Sequence, residues 1–208
     1  LGVVQLPDSS YVITGHSGGW GNNAEAYLLK IAKNGAYQWS QHYGGYDFDA
    51  GRRVMSHAVN GLYVAGSSMV NQTTAYDLYL INTDPNGTLS WEKRVDLGGW
   101  EFTNDAILTF DDGVVMVGSS QDPNSSNSRG FIVKTNAAGD TLWSRFIGGT
   151  ETNAIHTVLE LQDSIYVVAG TYYNTDSTLN KGFIAAYHEN GTLLWFTSIG
   201  DYGAFGIT

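Results

Sequence analysis

A tryptophan that returns every 52 residues limits what this chain can fold into more than any other feature. Trp39, Trp91, Trp143 and Trp195 each stand four residues after a glycine, in N34-G-A-Y-Q-W39, N86-G-T-L-S-W91, A138-G-D-T-L-W143 and N190-G-T-L-L-W195. A fixed period of this length marks one supersecondary unit in tandem, because such a unit buries its apolar face only against its neighbours. Tyr27, Tyr79, Phe131 and Phe183 precede the tryptophans by 12 residues, and each opens a short apolar run. Upstream of these, Y11-V-I-T-G15, Y63-V-A-G66, V114-V-M-V-G118 and Y166-V-V-A-G170 form a second recurring run that ends in glycine, slipped by one residue in the first copy.

Short apolar runs between turn residues read as strands. Each unit therefore contains four antiparallel strands, A to D, with strand A best seen in R53-V-M-S-H-A-V59 and I155-H-T-V-L-E-L161. Tight A to B and C to D connections follow from Asn-Gly and Asp-Gly pairs, which supply the positive φ of short hairpins. The tryptophan then falls at one pleat position of strand D, where a ring can wedge between adjacent sheets while its indole N–H finds a carbonyl. The fold class expected is all-β: a β-propeller of four-stranded antiparallel blades with a 52-residue period, four of them present.

Units such as T141-L-W-S-R-F-I-G-G149, followed by Y166-V-V-A-G170 and G182-F-I-A-A186, resemble the blade repeats of large secreted bacterial propeller proteins of Bacteroidetes type. More distantly the chain resembles the tryptophan-docking repeats of pyrroloquinoline-quinone propellers. The first resemblance implies an exported or cell-surface bacterial location and a binding role. Leu1 lies in the tail of a strand A, and G203-A-F-G-I-T208 matches the front half of one. Residues 1–208 are thus expected to be a single propeller segment with strand A split between the termini, part of a larger ring because initiator methionine and signal peptide are both missing.

Composition narrows the function. Net charge is −10, with 26 glycines, 13% aromatic residues, 14% charged residues and no cysteine. Acidity argues against a nucleic-acid partner, which would be repelled. Thiolate metal sites and disulfides are excluded, and no apolar run reaches membrane-spanning length.

Local patterns that suggest chemistry have plainer readings. G15-H-S-G-G19 fits a nucleophile elbow, but the matching positions in later units are strand-B exits. N82-T-D-P-N-G87 opens like a calcium loop, yet its twelfth position is Lys93, so a hairpin is expected. His57 and His156 fall at nearly corresponding places on strand A, which lines a propeller channel. Asp47, Asp49, Asp111 and Asp112 read as turn residues with no evident partner, and Arg52, Arg53, Lys93 and Arg94 as solvated strand faces. No catalytic residue, metal ligand or cofactor is expected.

The two ends of the blades differ. A to B and C to D turns are short and alike, whereas B to C and D to A loops are long and varied, and varied loops on a rigid scaffold are where binding resides. Trp20, Tyr46, Trp100, Phe102, Tyr172 and Tyr173 are the candidate ligand-binding residues there, with Phe48 and nearby Asn side chains. Aromatic planes beside amides suit polyhydroxylated ligands. The expected function is a non-catalytic binding or scaffolding module for a glycan or protein, joined to further blades or domains of its own polypeptide. A propeller glycosidase or polysaccharide lyase with its site at the channel mouth is the alternative, and a quinone-dependent dehydrogenase comes after it.

Overall fold

In a computed structural model of the chain, residues 1–18, 24–45, 48–69, 75–124, 127–147, 153–173 and 180–199 are described. They build four antiparallel sheets of four strands each, every sheet a simple meander. Blade 1 comprises β1 (Gly2–Gln5), β2 (Tyr11–Ser17), β3 (Glu25–Ile31) and β4 (Tyr37–Tyr43); blade 2 comprises β5 (Phe48–His57), β6 (Gly61–Met69), β7 (Tyr76–Thr83) and β8 (Leu89–Val95). Blade 3 comprises β9 (Trp100–Leu108), β10 (Val114–Gln121), β11 (Ser128–Thr135) and β12 (Thr141–Ile147). Blade 4 comprises β13 (Asn153–Leu161), β14 (Ile165–Tyr173), β15 (Asn180–Tyr187) and β16 (Leu193–Ile199). The chain is all-β, made of propeller-type blades. Blades 1 and 2 form one compact unit, residues 1–96, and blades 3 and 4 a second, residues 97–208. Among the described residues no helix is long and apolar enough to cross a membrane.

The recurring glycine and the recurring aromatic are cross-strand partners. Gly15 pairs with Tyr27, Gly66 with Tyr79, Gly118 with Phe131 and Gly170 with Phe183. At Gly66, Gly118 and Gly170 a Cβ would stand 1.8, 1.9 and 2.2 Å from the carbonyl oxygen of Ala50, Phe102 and Ala154 on strand A. Strand A can approach this closely only if strand B is bare there, and the partner's ring covers the bare spot. Two residues beyond, each of these A strands carries a β-bulge at Arg52, Asn104 and His156, again 52 residues apart. A second bulge falls at Gln38, Ser90, Leu142 and Leu194, just before each tryptophan. Bulges increase local twist and re-aim the side chain that follows.

The tryptophan wedge forms inside each unit. In unit 2, Trp143 of blade 3 lies against Gly191 in the C to D turn of blade 4, and its Nε1–H donates to the Glu189 carbonyl at 2.7 Å. Arg145 Nε donates to the Gly191 carbonyl at 3.0 Å. In unit 1, Trp39 of blade 1 lies against Gly87 of blade 2, whose carbonyl takes the Tyr43 hydroxyl at 2.5 Å. The same turn carbonyl thus receives a donor from the preceding blade in both units. Burial pushes the Tyr43 hydroxyl well above its usual pKa, with Asp84 adding to the shift, so it stays a donor. Trp195 departs from the expected wedge: its side chain is exposed.

Strands run further into the varied end than their apolar runs suggest. Phe48, Asp49 and residues 100–104, read as loop, belong to β5 and β9. Ladder pairing continues there because β-propensity matters less than the hydrogen bonds offered by a neighbouring strand.

Candidate functional site: the loop ends of the blades

The tight-turn ends are stapled to themselves. The residue paired with the tryptophan reaches the A to B turn in three blades: Lys30 Nζ meets Asp8 at 3.3 Å, Asn82 Nδ2 donates to Asn60 and Leu62 carbonyls, and buried Lys134 donates to Asp111 at 2.8 Å and to Thr109 Oγ1 at 3.0 Å. Asp111 therefore has a partner, contrary to expectation, because a buried ammonium must be paired. N82-T-D-P-N-G87 is a hairpin, in which Asp84 Oδ1 accepts from the Asn86 and Thr88 amides at 2.8 Å. His57 is also consumed here, its Nδ1 accepting from the Val59 and Asn60 amides. It does not correspond to His156, which occupies a bulge and bonds Thr171 Oγ1 at 2.8 Å.

At the loop end, one transverse row repeats with changing chemistry. Its strand-A member is Asp49, Glu101 or Asn153, paired respectively with Ser68, Ser120 and Tyr172 on strand B. Strand B then reaches strand D across the intervening strand: Ser17 to His42 Nδ1 at 3.1 Å, Ser68 to Arg94 Nε at 2.9 Å, and Tyr172 hydroxyl to Ser198 Oγ at 2.9 Å. In blade 3 the strand-D position is Phe146, and Arg129 stacks on its ring at 3.9 Å. The backbone geometry is constant and the side chains differ.

Asp49 and Glu101 are buried members of this row. Asp49 accepts from Ser68 Oγ and from the Gly45 amide at 2.8 Å, and Arg94 lies 3.7 Å away. Glu101 accepts from Ser120 Oγ at 2.7 Å and the Gly99 amide at 2.9 Å. Asp49 is thus a partnered strand residue and not a free turn carboxylate. Arg52, Arg53 and Arg94 are exposed as expected, and Arg94 in addition closes the blade-2 row and stacks over Tyr79 at 4.6 Å. The Gly-Gly before β5 and β9 is explained here: Gly44 and Gly98 take positive φ, and the next amide points at the buried carboxylate.

In unit 1 an aromatic row flanks this network. His16, exposed, lies 5.5 Å from buried Phe48, which lies 5.8 Å from Tyr76. Phe48 anchors, and its neighbours present the surface. The contacts of Ser17, His42 and Glu25 in blade 1 superficially suggest a catalytic relay, but Ser17 and Glu25 Oε2 (3.2 Å) both meet His42 at Nδ1. A relay requires the base to use one ring nitrogen for each partner.

Of the candidate residues, Trp100 and Phe102 share one side of β9 in blade 3, Trp100 half-buried and Phe102 partly exposed. Tyr172 lies on β14 of blade 4, half-buried against the unit-2 core. Tyr173 belongs to β14, but its side chain, like Trp20 and Tyr46 altogether, lies outside the described residues. Tyr76 was not singled out in the sequence, and His16, read there as part of a strand-B exit, could not be placed beside Phe48 without the sheet.

No family model matches the chain. The chain is similar to an uncharacterized WD repeat-containing protein of Acanthamoeba polyphaga mimivirus, 21% identical over 238 residues, covering 83% of this chain and 17% of that protein. The chain thus spans a small part of this relative's length. A WD-repeat likeness fits repeated four-stranded blades. It lends no support to a Bacteroidetes-type or pyrroloquinoline-quinone affiliation, and its viral source lends none to a bacterial one.

Proposed function

We propose that this chain is a non-catalytic binding or scaffolding module whose ligand, a glycan or a protein segment, is held at the loop ends of its blades. The row that keeps one backbone geometry while exchanging Ser–His, Ser–Arg and Tyr–Ser pairs carries the reading. A scaffold that varies side chains at fixed positions alters recognition without altering fold. Asp49 and Glu101, the buried carboxylates nearest this surface, are committed to amide and hydroxyl donors, which favours binding over acid–base chemistry there. An exported, cell-surface setting belongs to the same proposal and rests on the blade-repeat resemblance and on composition.

Glycan and protein-fragment arrays probed with the chain test it. Binding should fall when Tyr76→Ala or Trp100→Ala is introduced at the loop end and persist in Phe110→Ser at the opposite end. The reverse pattern would overturn the assignment of the face.

A further inference from the structure

Gln41 and Arg145 hold corresponding positions, each two residues after a tryptophan that lies on the next blade's turn glycine. In unit 2 the Arg145 guanidinium closes the groove between strand D of blade 3 and the C to D turn of blade 4. Its Nε donates to the Gly191 carbonyl at 3.0 Å, its Nη1 to the Ser144 carbonyl at 2.7 Å, and its Cζ lies 5.7 Å from the Trp143 ring. Every group that receives it has a counterpart in unit 1: Gly87 for Gly191, Ser40 for Ser144 and Trp39 for Trp143. The two turns share one conformation, with φ +83° at Gly87 and +80° at Gly191. A Cβ on Gly191 would stand 3.2 Å from Arg145 Nη2, and one on Gly87 would stand 3.0 Å from Gln41 Cγ, so the two side chains take the same path. Gln41 carries no guanidinium to the end of it. What unit 1 has there is a groove of about 370 Å³, lined by Gln41, Tyr43, Gly87 and Glu92 among others.

We propose that this groove is a guanidinium site, filled by an arginine side chain of a partner polypeptide that lies along β4. Unit 2 supplies the template, and unit 1 adds charge: Glu92 stands where blade 4 has Phe196. One Glu92 oxygen accepts from the Tyr79 hydroxyl and the other from Arg94 Nη1 at 3.2 Å. A carboxylate offers about four acceptor sites, so each oxygen keeps one for a further donor. The Gly87 carbonyl accepts the Tyr43 hydroxyl and keeps its second lone pair. A planar fork of N–H donors matches a carboxylate beside carbonyls, which the single ammonium of a lysine cannot span. The occupant is a polypeptide because β4 is the last strand of its sheet, and an edge strand pairs with an extended chain while a pocket beside it takes one side chain. The site lies on strand D and a C to D turn and does not use the aromatic row, so it stands apart from the ligand proposed above.

Fluorescence anisotropy of a labelled short Ser/Thr-rich peptide with one central arginine, titrated with the intact 208-residue chain, reads the outcome. The same peptide with citrulline, which keeps the shape and loses the charge, should bind about tenfold or more weakly, and the lysine version should fall between. Glu92→Gln, which still offers Tyr79 an acceptor, should weaken the arginine peptide by about tenfold. Gln41→Arg installs the residue that unit 2 already carries and should abolish binding, because the chain then fills its own groove. Circular dichroism verifies that both variants fold, and Tyr76→Ala should leave the affinity unchanged. Absence of binding up to about millimolar concentration, equal affinity for the citrulline peptide, or full binding by Gln41→Arg overturns the proposal. N-acetylarginine amide that competes as well as the peptide would overturn the polypeptide as the occupant and leave a small guanidinium compound in its place.

Discussion

Trp143 Nε1 donates a 2.7 Å hydrogen bond to the carbonyl of Glu189, a residue in the turn of the following blade. The indole also lies across Gly191, with Arg145 at 5.7 Å from its ring. Truncation at this junction removes both a large apolar contact and a hydrogen bond. Trp143→Ala should cost about 3 to 5 kcal/mol in denaturant unfolding. Trp195→Ala, measured on dilute protein, should cost about 1 kcal/mol or less, because that ring is exposed. Equal losses would show that the repeat position, and not the docking, sets the energy.

Gly118 is predicted to be intolerant of alanine. The added Cβ would collide with the Phe102 carbonyl on the paired strand, a backbone atom that cannot swing aside. Gly118→Ala should therefore destabilise by about 2 to 4 kcal/mol, and Gly45→Ala, where no described atom lies within 4 Å, by less than about 1 kcal/mol. Thermal melts of the two variants decide it.

Asp49→Ala should strand the Ser68 hydroxyl and the Gly45 amide without an acceptor, a loss of about 2 to 4 kcal/mol. Asp49→Asn keeps one oxygen and should recover part of it. Amide exchange at Gly45 offers the local readout: protection should fall in the alanine variant and persist in the asparagine variant.

The Lys134–Asp111 pair makes a pH-dependent contribution. Burial pushes the Asp111 carboxyl up, but hydrogen bonds from Lys134 and Thr109 outweigh it and hold the group below its usual range. A depressed carboxyl stabilises fully above its unfolded value of about 4, and that stability is lost as pH falls through the lower folded value. Asp8, held down to about 2 by the Ser10 hydroxyl and amide and by Lys30, behaves alike at the matching turn. Asp111→Asn should cost about 1 to 3 kcal/mol at pH 7, at the low end because Asp111 is half exposed. The gap between variant and parent should close as acidification carries the pH through that lowered folded value. A gap that persists there would mean the contribution is packing and not charge.

The sequence by itself determined the blade. Four tryptophans and four aromatics in one register, with Asn-Gly turns between apolar runs, admit little besides repeated four-stranded sheets, because hairpin turns and strand periodicity are local and are written in neighbouring residues. Gly118 and Phe131 were both visible as recurring letters. Only the tertiary structure made them partners, since the register between strands depends on hydrogen bonds that composition does not encode. The loop-end row was hidden for the same reason. Asp49, Ser68 and Arg94 lie far apart in sequence and looked like turn residues and solvated charges until antiparallel pairing brought them onto one line across blade 2. Trp195 makes the point from the other direction: its local sequence is that of Trp143, yet one ring is docked and the other exposed, because a neighbouring turn is a property of the assembled blades and not of the strand that carries the ring.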